Sequence, residues 1–85
     1  LGRMTVPPQL RKVTVRELCA ALERDGFVLD RQRGSHRVYY RSRDKRRVVV
    51  PYHRPGATLP IGTLSAIIRD IGWTADDMRR LGLIK

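Results

Sequence analysis

Cysteine is nearly absent from this chain of 85 residues: the single Cys19 leaves no intramolecular disulfide to form. A small domain that must hold together without one fits a reducing compartment, so a cytoplasmic location is expected. Long apolar runs are missing too, and nothing approaches the length of a membrane-spanning helix. The amino terminus lacks the charged-then-apolar pattern of a secretory leader. Only two histidines occur, with no cysteine or carboxylate cluster at ligand spacing, so neither a metal nor another cofactor is expected. Acidic residues are scarce as well, 8 against 18 lysines and arginines, which leaves a formal net charge of +10.

With 41% hydrophobic and 31% charged residues the chain is neither disordered nor membrane-embedded. A chain of this size buries only roughly 60 to 65 percent of its unfolded surface, so one compact core is expected, with no deep cavity. The basic charge is concentrated. Between Arg31 and Arg47 lie seven arginines and one lysine opposed only by Asp44, supplying +7 of the total. A merely solvated basic face is the plain alternative, but Tyr39 and Tyr40 interrupt the run and Gly34 opens it. That pattern points to a polyanionic partner.

Residues 1–13, with Pro7-Pro8 and no apolar periodicity, read as a flexible lead, and residues 14–85 as one domain. Thr14 with Glu17 forms a capping box, and Val15, Leu18, Cys19 and Leu22 follow at helical spacing as far as Gly26. Cys19 then belongs to the core. Three strands are expected at Phe27–Arg31, His36–Arg41 and Arg46–Pro51, in a meander. After the Pro55-Gly56 and Pro60 loop, Leu64, Ile67, Ile68 and Ile71 mark a second helix, closed by Gly72. Thr74 and Asp77 signal a short third helix within an extension over residues 73–85, with Trp73 packed beneath it. The fold class is α+β, two helix faces on a three-stranded antiparallel sheet.

Arg33-Gly34-Ser35-His36 stands at the entrance to the second strand. Gly34 permits close backbone approach, Ser35 offers donors, and a histidine side chain ordinarily titrates at about 6.5. Cleaving RNA through its own 2′-hydroxyl requires a base, an acid and positive charge on the phosphate; His36 can serve as base or acid. Strict alternation groups His36 with Val38 and Tyr40. If Val38 faces the core so does His36, unless the turn breaks the pleat. A buried, backbone-bonded histidine is therefore the competing reading.

Asp25-Gly26-Phe27, Arg33-Gly34-Ser35-His36 with the following tyrosines, Val49-Val50-Pro51-Tyr52-His53, and Leu59-Pro60-Ile61-Gly62-Thr63-Leu64 with Ile67-Ile68 occur in an order that resembles the HicA (YcfA-like) toxin family. The blocks span residues 14 to 72. The resemblance implies a double-stranded-RNA-binding-domain-like α-β-β-β-α fold and a metal-independent mRNA interferase neutralised by a HicB-type antitoxin. It implies His36 as catalytic residue and His53 as a possible second one. RNA contacts are expected from Arg33, Gly34, Ser35, Arg37, Tyr39, Arg41, Arg46 and Arg47. The lead, the carboxy-terminal extension and Ile61 depart from the family pattern.

Two other functions stay open on sequence. A noncatalytic double-stranded-RNA-binding module shares the element order, although Arg69 is the only basic residue between Leu59 and Ile71. A protein-interaction domain could present the same basic face to an acidic partner.

Overall fold

The computed structural model describes Leu10 and residues 12–85. The first helix, α1 (Val15–Arg24), opens on the capping box: Glu17 N–H donates to Thr14 Oγ1 and Thr14 N–H donates to Glu17 Oε1 at 2.8 Å. Two amides that a helix start leaves unpaired are thereby satisfied. Val15, Leu18, Cys19, Ala21 and Leu22 form its buried face. Gly26, at φ +95°, turns the chain out of the helix and Phe27 drops into the core.

Strands β1 (Val28–Arg33), β2 (His36–Arg41) and β3 (Arg46–Pro51) form an antiparallel sheet in the order β1-β2-β3. The second and third have the bounds expected from sequence. The first begins one residue later, because Phe27 is core, and runs on to Arg33, because only Gly34 turns the chain. Gly34 has φ +55° while Ser35 does not enter the positive-φ region, the sign pattern of a II′ hairpin turn. Two helices follow, α2 (Ile61–Ile71) and α3 (Ala75–Arg80).

One sheet face carries Tyr39, Val48 and Val50 into the core, against α1 and the Leu64, Ile67, Ile68 and Ile71 face of α2. The other face is open. Its alternation is opposite to a packing in which Val38 points inward: Tyr39 is buried, so Val38 lies on the open side with His36.

The core reaches beyond both ends of the matched motif blocks. Leu10 and Val13 are buried, earlier than the boundary expected at residue 14; residues 1–9 and 11 of the expected lead lie outside the described residues. Trp73, Met78, Leu81, Leu83 and Ile84 are also buried. The extension is fastened through Asp25, the buried C-cap of α1. Its carboxylate accepts from Arg41 Nη1 at 2.6 Å, Trp73 Nε1 at 2.7 Å and Arg80 Nη2 at 3.2 Å. Burial raises the Asp25 carboxyl's pKa, but these hydrogen bonds and the Arg41 charge outweigh it and hold the group below its ordinary value.

Candidate nucleic-acid interface

The hairpin turn sets the site. Because Gly34-Ser35 closes in two residues, Arg33 and His36 become cross-strand partners, followed by the pairs Arg31 with Val38 and Val28 with Tyr40. On the other side His36 pairs with Pro51, Val38 with Val49 and Tyr40 with Arg47. Paired residues share a face, so the open face carries His36 at one end, Arg33 and Arg31 along one side, and Tyr40 with Arg47 farther up. Backbone N–H of Tyr52 donates to the Ser35 carbonyl, tying the end of β3 to the turn.

His36 is exposed, and no side-chain hydrogen bond among the described residues involves it. It does not have the buried, backbone-bonded geometry of the competing reading. Val38 and Val49 make an apolar floor between His36 and Tyr40, and Val28 continues it beside Tyr40; Val28 is 61% and Val49 52% exposed. Asp30, at the irregularity in β1 pairing, receives Arg47 Nη1 at 2.7 Å and lies 3.8 Å from Arg31 Nε. The Arg47 hydrogen bond is the main reason its carboxyl is held below the usual range. The Arg47 guanidinium also lies over the Tyr40 ring, 4.7 Å from its centre. Arg33 is exposed at the mouth of the turn, beside His36.

Of the expected RNA contacts, Arg33, Gly34 and Ser35 are brought beside His36, and Arg47 is placed on the same face but farther along it, opposite Tyr40. The others are not. Tyr39 has no exposed surface; burial above all pushes its hydroxyl up to about 12, and it is a core residue rather than a base-stacking one. Arg41 is buried between Asp25 and Asp44, with Nη2 2.8 Å from Asp44 Oδ2, and its guanidinium lies over Phe27. It fastens the fold and is closed to a phosphate. Arg46 lies on the core side of β3, donating to the Asp70 carbonyl at the end of α2 and pairing with Asp44. Arg37, also on the core side, donates to Tyr39 Oη at 3.2 Å and stacks 3.7 Å over Tyr52.

Tyr40 and Arg31, which are not among the contacts expected from sequence, share this open face. Alternation alone leaves either face of β2 possible; once Tyr39 is seen in the core, His36, Val38 and Tyr40 fall together on the other face. What concealed the choice was the pair of arginines flanking Tyr39, which look like surface residues until Asp25 is seen to meet one of them. Cys19 is not part of the site. Its thiol is buried and its pKa raised by that burial, the opposite of an activated nucleophile. His53 is exposed in the loop after β3, near the α1 end of the molecule, where Val15 N–H donates to the Ala57 carbonyl at 2.8 Å.

Chemically, the open face combines an exposed imidazole, cations with flat donor forks, and an apolar floor with the Tyr40 ring at its edge. Those features suit a single-stranded polyanion whose bases can lie against the floor. Comparison with known proteins bears on the same region. No curated protein matches the chain. A family model described as the HicA toxin of bacterial toxin-antitoxin systems matches residues 15–73, which runs from the first residue of α1 past the end of α2 and includes the whole sheet. The match covers most of the chain, and the protein belongs to the HicA toxin family.

Proposed function

We propose that this toxin is an endoribonuclease that cleaves single-stranded mRNA across the open face of the sheet. The observation that supports the reading best is the exposure of His36 beside Arg33, at the end of a cationic face whose floor is apolar. In the proposed reaction the substrate's 2′-hydroxyl attacks the adjacent phosphorus, forming a 2′,3′-cyclic phosphate as the bond to the 5′-oxygen breaks. His36 moves a proton in that step, from the 2′-oxygen or to the leaving 5′-oxygen, and Arg33 holds the charge on the phosphate oxygens. No metal takes part. A HicB-type antitoxin with acidic and apolar groups neutralises the toxin by covering the same face, where Val28 and Val49 are left exposed.

The duplex-binding alternative has less support, since Arg69, the only basic residue of α2, falls in its last turn. Purified His36→Ala is the test, assayed on single-stranded RNA with EDTA present. General acid-base catalysis is worth about 10²- to 10⁴-fold, so a loss of at least 10²-fold is expected with RNA binding retained. Equal cleavage by parent and variant overturns the assignment of His36.

A further inference from the structure

A groove of about 310 Å³ opens between the end of β3, the following loop and the start of α2. Its walls include Val15, Pro51, Leu59 and Pro60, and His53 and Arg54 are among its lining residues. Pro51 is also the cross-strand partner of His36, so one residue belongs both to the groove and to the neighbourhood of the proposed catalytic group. The loop that forms the outer wall is held in place. Val15 N–H donates to the Ala57 carbonyl at 2.8 Å, and Arg16 N–H to the Pro55 carbonyl at 3.0 Å.

Such a groove exists before any ligand arrives, and its size lies at the lower end of the roughly 300–1,000 Å³ typical of small-molecule clefts. It suits one flat ring system. The walls are largely aliphatic, while Arg54, His53 and two threonines, Thr58 and Thr63, supply the polar groups, so the complementary ligand has an apolar, planar body joined to an anion. A nucleotide has that construction. A strand that crosses His36 also delivers one to this position, because Pro51 is next to His36 across the ladder.

Resting on the ribonuclease reading, we infer that the groove is a subsite for one unstacked nucleobase flanking the cleaved bond, with Arg54 on that nucleotide's phosphate. His53 then lies against the base, with Thr63 lining the same groove. Base preference in cleavage originates here, since the open face offers mainly charge and apolar contact.

Binding in the His36→Ala background tests the inference without turnover. A labelled single-stranded RNA is compared by anisotropy with oligonucleotides that carry an abasic ribose at each position in turn. Loss of one base at a single position should weaken binding roughly tenfold, in the range of one base's stacking contribution. Ala57→Leu, which fills the groove, should weaken the intact oligonucleotide by the same factor and leave that abasic one unchanged. Equal affinity across the abasic series, or equal weakening of both ligands by Ala57→Leu, overturns the subsite. The abasic series needs no groove substitution, so it decides the matter even where Ala57→Leu does not fold. Failure of the ribonuclease reading shows separately, as equal cleavage by parent and His36→Ala.

Discussion

Removing the Asp25 carboxylate is the most informative perturbation of the fold, because one buried group joins α1, β2, the Trp73 turn and α3. Asp25→Ala leaves Arg41, itself 7% exposed, facing a vacated site on one side. Breaking a buried ion pair from one side costs about 3–5 kcal/mol. Arg41 keeps Asp44, at 2.8 Å from Nη2, so its share falls toward the lower limit, about 3 kcal/mol. The Trp73 indole N–H loses its 2.7 Å acceptor, and an orphaned buried donor costs about 1–3 kcal/mol. Arg80 and Arg43 are more than half exposed, and their pairings with Asp25 add little.

The sum is about 4–6 kcal/mol, a large part of the roughly 5–15 kcal/mol that holds a domain of this kind together. At about 4–8 °C per kcal/mol for a domain this small, the melting temperature should fall by at least about 15 °C. Urea denaturation followed by circular dichroism measures the loss directly. Arg41→Met in the Asp25→Ala background should recover part of it, since the stranded charge is then gone. A loss below about 1 kcal/mol for Asp25→Ala, or a strictly additive double variant, refutes the buried pair as a source of stability.

The same carboxylates make stability fall in acid. Asp25 is held below its ordinary value, and hydrogen bonding from Arg41 brings Asp44 to about 2. Depressed folded-state values contribute stability that is present above the unfolded value of about 3.9 and is lost as pH falls toward the folded ones. The urea midpoint should therefore be level above pH 5 and drop between about pH 4 and 2, with the drop reduced in Asp44→Asn. The two neighbouring tyrosines should separate stability from binding. Tyr39→Ala removes a fully buried ring and should cost about 3–5 kcal/mol, while Tyr40→Ala should cost about 1 kcal/mol or less and weaken single-stranded RNA binding. Affinity for RNA should fall with salt at a log–log slope of about −0.7 per phosphate held, and Arg33→Ala should make that slope shallower by about one contact.

Local chemistry made much of the scaffold readable. The Thr14–Glu17 box forms both of its hydrogen bonds, and every member of the Leu64, Ile67, Ile68 and Ile71 stripe is buried. These features depend on neighbours within one turn of helix, which the linear order already supplies. Gly34-Ser35 likewise marks a turn before His36 in the linear order, whereas the pairing of His36 with Arg33 is seen only in the sheet, since the sequence pattern places the end of the first strand at Arg31. The end of the domain was harder to read, since the stripe of α3 contributes one buried residue, Met78, and Trp73 needs Asp25 to seat its N–H.

By itself, the sequence determined the order of the elements, the cationic character of the sheet and the position of His36 at a hairpin. It could not decide which face of β2 is core, because both alternations are half polar: Arg37, Tyr39 and Arg41 against His36, Val38 and Tyr40. Tertiary structure decided it by bringing Asp25, sixteen residues earlier, to the Arg41 guanidinium. Burying an arginine as deeply as Arg41 is costly unless a carboxylate meets its charge. Once Asp25 and Asp44 satisfy Arg41, Tyr39 can fill the core, and the opposite alternation carries His36 out to the solvent.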